Sequence, residues 1–168
     1  MPVLKAAFLA FAVCAALSLA QTETNLALKK PATSSTPCNE DEIAAHAFNG
    51  SVDGGTGDKW CSLESTKWLQ VDLGANFKVN RLVLKHAGAG GETSDWNTRA
   101  FKIHVSTDGR KFTNIVTVTD NTNDVSTHKV EPVVARYVQL EVTVPTQDGD
   151  AAARIYEFEV YGEAAPGK

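Results

Sequence analysis

Strict alternation of apolar and polar side chains over residues 67–74 is the feature that most constrains this chain. Leu69, Val71 and Leu73 fall on one face of an extended segment, and the polar residues between them fall on the other. Gly74 closes the segment, as expected at the end of a strand. The stretch therefore predicts a β-strand with one buried face, against which the other strands are expected to pack.

Similar segments recur downstream, so the sequence predicts several short strands around one core. The further predicted strands span residues 78–85, 101–106, 112–118, 126–130, 137–142 and 156–161. Pro132 and Pro145 are expected to mark strand ends, because proline lacks the N–H that a sheet needs. Residues 21–36 are polar and contain Pro31, which favours an extended edge segment. No helix of normal length and no repeat is present, so the prediction is all-β, an antiparallel sandwich of about eight strands.

Length and the terminal segments give the predicted domain organisation. The 168 residues suit one domain. Lys5 precedes an apolar run from Ala6 to Ala20, a pattern typical of a cleaved secretory signal peptide over residues 1–20. A retained membrane anchor is the alternative, but about 15 apolar residues are fewer than the roughly 20 that span a bilayer. The sequence thus predicts a secreted, extracellular protein with one domain over residues 21–163 and a frayed tail over residues 164–168.

Charge and cysteine content restrict the partners and the compartment. The formal net charge is −4 at pH 7, and loss of Lys5 with the signal peptide makes it one unit more negative. Such a surface disfavours nucleic acid as a partner. Outside the predicted signal peptide only Cys38 and Cys61 are present, and an even pair in an oxidising compartment favours one disulfide. Two free buried thiols are the alternative, since the sequence does not show how closely the two Cα atoms approach.

The segment over residues 49–58 has the composition of a cation site. Four glycines are interspersed with carboxylate, amide and hydroxyl side chains. Glycines let backbone carbonyl oxygens turn inward, and a hard cation such as Ca²⁺ takes about six to eight oxygen ligands. An ordinary loop stabilised by Asx turns is the alternative. Asn49-Gly50-Ser51 is also an N-glycosylation sequon, and a glycan on Asn49 would compete with an ion there.

The long loop over residues 86–99 carries the most varied side-chain chemistry. It contains an imidazole, a carboxylate, an indole, an amide and a guanidinium beside small residues that leave room for a ligand. The alternative is that Trp96 packs against the edge of the core and the other side chains are solvated. A phosphate cradle is disfavoured, because the glycines are not followed by the lysine and helix of a P-loop.

The landmarks of the chain, taken in order, resemble a known family. They are Asn25-Leu26-Ala27, Pro31-Ala32-Thr33, Ala47-Phe48-Asn49-Gly50, Lys59-Trp60-Cys61-Ser62, Trp68 to Gly74, Val105-Ser106-Thr107-Asp108-Gly109, Ala135-Arg136-Tyr137-Val138 and Ala153 to Gly162. This series resembles the discoidin, or coagulation factor V/VIII type C, domains, and more closely the family-32 carbohydrate-binding modules. The resemblance spans residues 25–162. It implies a jelly-roll β-sandwich that binds galactose-type sugars through loops at one end, often with a structural Ca²⁺.

The resemblance also implies which residues hold each ligand. The expected calcium ligands are Asn49, Asp53, Asp58 and Glu157. The expected sugar contacts are His86, Glu92, Trp96, Asn97 and Arg99. Charged and amide groups hydrogen-bond vicinal hydroxyls, and an indole packs on the C–H face of a sugar ring. Residues 38–42 and 62–65 are the alternative sugar surface.

The predicted function is a secreted, non-catalytic, lectin-like module for galactose-type or related glycans, such as cell-wall or mucin polysaccharides. An enzyme is disfavoured because the four histidines are scattered and no serine lies in a nucleophile elbow. The alternative is an adhesion module for a protein or a phospholipid surface. A membrane partner would need apolar loop tips and a basic collar, which the acidic composition disfavours. The sequence does not define an oligomeric state.

Overall fold

The structure is a computed structural model, and it describes residues 23–165. Seven β-strands form in this part of the chain: β1 (Ala32–Ser34), β2 (Trp60–Ser62), β3 (Lys67–His86), β4 (Ala100–Ser106), β5 (Thr113–Val118), β6 (Val125–Val144) and β7 (Ala153–Ala164). Short 3₁₀ helices span Ala44–Phe48, Gly55–Asp58, Ala87–Gly90 and Ser94–Trp96. None of the helices within residues 23–165 has the length and apolar character needed to span a membrane. The predicted signal peptide lies outside the described residues.

Two long strands, β3 and β6, pair with each other twice and so contribute to both layers of a sandwich. Residues 67–72 of β3 pair with residues 137–142 of β6, and residues 77–85 pair with residues 125–135. The bend between the two halves of β3 contains Gly74, whose φ of 84° lies in the left-handed region that glycine adopts without strain. A single strand therefore leaves one layer and enters the other.

The two layers enclose one hydrophobic core. One layer contains β1, β4, β5, the first half of β3 and the second half of β6, and the other contains β2, β7 and the remaining halves. Leu69, Val71 and Leu73 are at most 1% exposed, as the alternation predicted, and they pack in one cluster with side chains of both layers. The predicted all-β antiparallel sandwich is confirmed.

Some strand boundaries differ from the prediction. Two pairs of predicted strands are each one bent strand, β3 and β6. Pro132 does not end a strand: residues 130–132 form a bulge in β6 opposite Asn80, where the missing N–H costs no ladder hydrogen bond. Strand β7 continues through Ala164, which pairs with Phe77, so the first residue of the predicted tail belongs to the sheet.

Five strand connections meet at one end of the sandwich, which we call the loop end. They span residues 35–43, 63–66, 87–99, 119–124 and 145–152. The register places them together: Ser62 at the end of β2 pairs with Ala153 at the start of β7, and Lys67 at the start of β3 pairs with Val142 near the end of β6. Side chains that are distant in sequence can therefore form one surface at this end.

The predicted disulfide between Cys38 and Cys61 is confirmed. The S–S distance is 2.03 Å and the Cα–Cα distance is 5.3 Å. The N–H of Cys38 donates to the carbonyl of Cys61 at 3.0 Å, and the N–H of Cys61 donates to the carbonyl of Glu42 at 3.2 Å. The covalent bond and these two hydrogen bonds tie the 35–43 connection to β2 and fix Glu42 beside it.

Candidate functional site

Two of the three glycines of the 87–99 loop, Gly88 and Gly90, are packed against other parts of the protein. A Cβ added at Gly90 would lie 2.0 Å from the ring of Tyr156, and one added at Gly88 would lie 2.0 Å from the carboxylate of Asp124. Both distances are far shorter than a van der Waals contact. The space beside Gly88 and Gly90 is therefore filled by Asp124 and Tyr156. The expectation that this space accommodates a ligand is corrected.

Five side chains at the loop end form a largely buried ionic network, which we call the loop-end cluster: Glu42, Lys59, Glu92, Arg154 and Tyr156. Lys59 is 7% exposed, and its ammonium lies 3.2 Å from a Glu42 oxygen and pairs also with Oε1 of Glu92. The Tyr156 hydroxyl donates to the same Glu92 oxygen at 2.9 Å, and Nε of Arg154 lies 3.4 Å from the other one. Burial, reinforced by Glu92, raises the pKa of Tyr156, so its hydroxyl remains a donor. Two hydrogen-bond donors, Lys59 and Tyr156, and one ion pair with Arg154 thus hold Glu92.

Trp96 lies at the edge of this cluster and is partly exposed. The guanidinium carbon of Arg154 is 4.2 Å from the centre of the indole ring, within the range of a cation–π contact. Nη1 of Arg154 also donates to the carboxylate of Asp150 at 2.9 Å. The N–H of Asp150, and to a smaller extent the Trp96 indole, hold the pKa of Asp148 below its usual value. One surface therefore combines an aromatic ring, a guanidinium and carboxylates.

His86 and Asn97, two of the predicted sugar contacts, are fully buried. Nε2 of His86 lies 3.0 Å from the Ser126 hydroxyl, and burial lowers the pKa of His86 to about 4, which keeps it neutral at pH 7. Nδ2 of Asn97 donates to Asp124 at 2.8 Å, and its Oδ1 accepts the N–H of Gly88 at 2.8 Å. Both side chains hold the loop in place and do not reach the surface, so their assignment as sugar contacts is corrected.

The other three predicted sugar contacts are at or near the surface. Glu92 and Trp96 come together at the loop-end cluster, but Arg99 forms a separate exposed ion pair with Asp120 at 2.8 Å. The prediction missed Arg154, which links Glu92 and Trp96. The predicted closing strand began at Tyr156, whereas β7 begins at Ala153, so Arg154 and Tyr156 share a face that the prediction did not include.

Three of the four predicted calcium ligands lie together. Nδ2 of Asn49 donates to Oδ1 of Asp58 at 2.6 Å, and the hydroxyl of Ser51 donates to Oδ2 of Asp58 at 2.5 Å. The Ser51 hydroxyl is the main cause that holds the pKa of Asp58 below its usual value. The N–H of Gly50 donates to Oε2 of Glu157 at 3.0 Å. Asn49, Asp58 and Glu157 are thus linked through the start of the 49–58 segment.

Glu157 and Asp53 differ sharply in environment. Glu157 is fully buried, and its Oε1 has no hydrogen-bond partner among residues 23–165. Burial raises the pKa of Glu157 to about 7. Asp53 is exposed on the rim of the loop. A cation beside Glu157 would satisfy the free oxygen and stabilise the charged carboxylate, so Glu157 fits the role of a ligand better than Asp53 does.

A concave region lies at another part of the loop end, apart from the loop-end cluster. Its cavity of about 220 Å³ is lined by Thr36, Pro37, Cys38, Leu63, Glu64 and Ser65. Leu63 is 59% exposed, an unusual amount for a leucine beside a cavity. This region overlaps the alternative sugar surface that the sequence suggested at Cys38 and residues 63–65.

A β-sandwich that gathers a polar and aromatic surface from several loops at one end has the architecture of a ligand-binding module. Residues 31–158 match the family model described as F5/8 type C domain. The chain therefore belongs to the F5/8 type C domain family, and the resemblance seen in the sequence is confirmed.

Several solved structures are similar to this chain. The family 32 carbohydrate-binding module from Streptococcus pneumoniae EndoD shares 25% identity at a TM-score of 0.74, covering 83% of this chain and 100% of that one. Chitosan-binding module 1 from a chitosanase/glucanase of Paenibacillus sp. IK-5 shares 29% identity at a TM-score of 0.67, covering 83% and 99%. CpGH89CBM32-5 from Clostridium perfringens, solved with GalNAc-β-1,3-galactose, shares 17% identity at a TM-score of 0.69, covering 84% and 100%, and shows the fold alone. No curated protein matches the chain.

Proposed function

We propose that this protein is a non-catalytic glycan-binding module whose ligand lies against Trp96, Arg154 and Glu92 at the loop end. The contact between Arg154 and Trp96, held by the buried loop-end cluster, is the observation that carries the proposal. An indole offers an apolar surface to the C–H face of a sugar, and charged groups hydrogen-bond its hydroxyls. Because buried partners already fix these side chains, binding orders few of them. The similar modules from EndoD and the chitosanase/glucanase, which by name bind carbohydrate and chitosan, support this function.

The ligand class follows from the charge around Trp96. The Asp148 carboxylate accepts from the Trp96 indole, the Asp150 carboxylate holds Arg154 beside the ring, and the exposed Asp95 precedes Trp96 in the chain. Such a surface attracts sugars that carry free amino groups, and the similarity to a chitosan-binding module points the same way. Galactose-type sugars of cell-wall or mucin polysaccharides, which the sequence resemblance implied, are the second ligand class in this proposal.

A phospholipid surface is less well matched. Leu63 is the most exposed large apolar side chain at the loop end within the described residues, ahead of Val125, Val144 and Ile43, and its neighbour Glu64 is acidic. Anionic lipids are attracted by lysine and arginine, whereas the two cations of the loop-end cluster, Lys59 and Arg154, are already paired with carboxylates. A glycan is therefore the better partner for this end.

Replacing Trp96 with alanine is expected to weaken glycan binding by about 10- to 100-fold, which corresponds to roughly 1 to 3 kcal/mol. The apolar surface for the sugar ring is lost, while Glu92 keeps its bonds to Lys59 and Tyr156. Titration calorimetry with glucosamine and galactose oligosaccharides measures the change. Melting curves of the same variant separate lost contact from lost stability.

Leu63→Ser is the matched control, because it removes another partly exposed apolar side chain at the same end. We expect it to leave binding unchanged. Loss of binding in Leu63→Ser, with full affinity in a folded Trp96→Ala protein, would move the site to the cavity over residues 36–38 and 63–65. Absence of binding to every glycan by the unmodified protein would reject the proposed function.

We further propose a structural calcium ion at the 49–58 segment. The fully buried Glu157, with its unpartnered Oε1, supports a cation there. Asn49, Asp58 and Glu157 would hold the ion, together with backbone carbonyls that the glycines leave accessible. The ion would neutralise the carboxylates and rigidify the loop; the buried Glu157 orients the adjacent backbone through the N–H of Gly50.

Without metal, Glu157 should make the protein less stable as the pH rises. Its pKa in the folded protein is about 7, above the ordinary value of 4.5, so the folded state binds the proton more tightly than the unfolded state. The stabilisation is full below pH 4.5 and is lost as the pH approaches about 7, a change on the order of 3 kcal/mol. Calcium should cancel this loss by stabilising the charged form.

Melting curves recorded in chelator and in excess CaCl₂ test this expectation. The pH range is roughly 4 to 8, so that it includes the titration of Glu157. Glu157→Gln is the control, since it keeps an oxygen for the Gly50 N–H but cannot ionise. It should remove the calcium response and the loss of stability toward pH 7, and leave the opposite pH dependence of the buried His86, which destabilises the fold as the pH falls toward about 4. Superimposable curves in chelator and calcium at every pH would argue against the ion.

We propose, finally, that the protein is secreted. The disulfide between Cys38 and Cys61 supports an oxidising compartment, and residues 1–20 carry the signal-like pattern. Protein from the culture medium of its own host should begin at Gln21. Recovery of full-length protein only from inside the cell would contradict this proposal.

A further inference from the structure

Asn49 and Gly50 form the single Asn-Gly dipeptide of the chain, and the structure surrounds it with unusual hydrogen bonds. The N–H of Gly50 donates to the carboxylate of Glu157 at 3.0 Å, which increases the electron density on that nitrogen. The N–H of Ser51 donates to Oδ1 of Asn49 at 2.8 Å, which polarises the side-chain carbonyl. When an asparagine deamidates, the backbone nitrogen of the next residue bonds to the side-chain carbonyl carbon. Here these atoms are the nitrogen of Gly50 and Cγ of Asn49, and neighbouring groups activate both.

The backbone at this position can also adopt the conformation that the reaction needs. Asn49 has φ of −90° and ψ of −13°, and cyclisation requires rotation about its ψ angle. Gly50 is exposed, has φ of 87° and has no side chain to obstruct the attacking nitrogen. The segment that follows is glycine-rich and largely exposed, so it can follow the rotation, during which the Gly50 N–H leaves the carboxylate of the buried Glu157.

We propose that Asn49 is a site of spontaneous deamidation, which replaces the neutral side-chain amide of residue 49 with a carboxylate. The nitrogen of Gly50 attacks Cγ of Asn49, the Cγ–Nδ2 bond breaks, and Nδ2 leaves as ammonia with the proton released from the Gly50 nitrogen. Water then opens the cyclic imide and returns a hydrogen to that nitrogen, giving aspartate or, by opening at the backbone carbonyl, isoaspartate. Water is the only co-reactant, and no group is oxidised or reduced.

The new carboxylate would destabilise the metal-free loop and strengthen its interaction with a cation. Nδ2 of Asn49 now donates to Oδ1 of Asp58 at 2.6 Å. With oxygen in place of Nδ2, two carboxylates face each other there, and they repel unless a proton or cation lies between them. Deamidation therefore removes a hydrogen bond that stabilises the metal-free loop and adds a ligand for a divalent cation. This consequence rests on the proposed ion, whereas the chemical conversion does not.

The conversion is tested by incubating the folded, full-length protein at neutral pH and following the mass of the peptide that contains residues 49 and 50. We expect a gain at Asn49 equal to replacement of an amide by an acid, with none at the buried Asn97. A synthetic peptide of the same local sequence serves as the unfolded reference. If the synthetic peptide converts while Asn49 in the folded protein does not, the fold protects this residue and the proposal is wrong.

The consequence is tested with the variant Asn49→Asp, which supplies the aspartyl product in pure form. It should melt below the unmodified protein in chelator, and it should bind calcium roughly tenfold more tightly, since affinity rises with the charge of the ligands. Asn49→Ala, which loses the same hydrogen bond but adds no charge, is the matched control and should gain no calcium affinity. Equal calcium affinities for Asn49→Asp and Asn49→Ala would show that residue 49 is not a ligand, even if the mass change occurs.

Discussion

Replacing Lys59 with methionine is expected to lower the free energy of unfolding by about 3 to 5 kcal/mol, because the substitution leaves buried carboxylates without their cation. Lys59 is 7% exposed and Glu42 is 6% exposed, so water replaces little of the lost interaction. Lys59 also pairs with Glu92, and the two carboxylates would then repel each other across the space the ammonium occupied. Chemical denaturation of the purified variant measures the loss.

Two further variants make this test specific. Lys85→Met removes the cation of a more solvent-accessible pair with Glu159 and should cost at most about 1 kcal/mol. Adding Glu42→Gln and Glu92→Gln to Lys59→Met removes the uncompensated charges and should recover most of the stability. If Lys59→Met were no more costly than Lys85→Met, the loop-end cluster would not be the rigid base that the proposed glycan site requires.

Gly90→Ala is expected to cost about 3 kcal/mol and to lower the melting temperature by roughly 10 °C. The added Cβ would lie 2.0 Å from the ring of Tyr156, which is 1% exposed, so the buried ring or the loop must shift. Displacement of the ring also breaks the hydrogen bond from the Tyr156 hydroxyl to Glu92. Glycan binding should therefore fall together with stability.

Gly57→Ala provides the comparison. A Cβ at Gly57 meets no atom within 4 Å, and its φ is not positive, so the substitution should change the melting temperature little. Differential scanning fluorimetry on both variants is sufficient. Equal melting temperatures would mean that the 87–99 loop does not pack on Tyr156 as described.

The general architecture could be predicted from the sequence because strand periodicity is a local property. Successive side chains of a strand point to opposite faces whatever the strand pairs with, so the alternation at Leu69, Val71 and Leu73 indicated a buried face. Cysteine counting likewise predicted the bond between Cys38 and Cys61, since only two cysteines follow the predicted signal peptide. The bends in β3 and β6 were missed. A bend forms where the pairing register between two strands shifts, and that register is not visible in either strand alone.

The candidate sites depended on contacts that the sequence does not contain. Composition alone could not distinguish Asn97 and His86, which are buried and hold the loop in place, from Trp96, which is partly exposed. Arg154 reaches Trp96 and Glu92 only because the closing strand begins at the loop end. Burial and long-range ion pairing are set by the order of strands in the sheet, and that order arises when the whole chain packs around one core.

The sequence by itself determined the strand periodicity, the one cysteine pair available for a disulfide outside the predicted signal peptide, and the side-chain chemistry available in the 49–58 and 86–99 segments. Tertiary structure alone decided that Lys59, Glu92 and Arg154 form one network and that Glu157 is buried with one oxygen that has no partner within the described part of the chain. The physical reason is the range of each effect. Backbone geometry acts over neighbouring residues, whereas desolvation and ion pairing act between side chains that only the complete fold brings together.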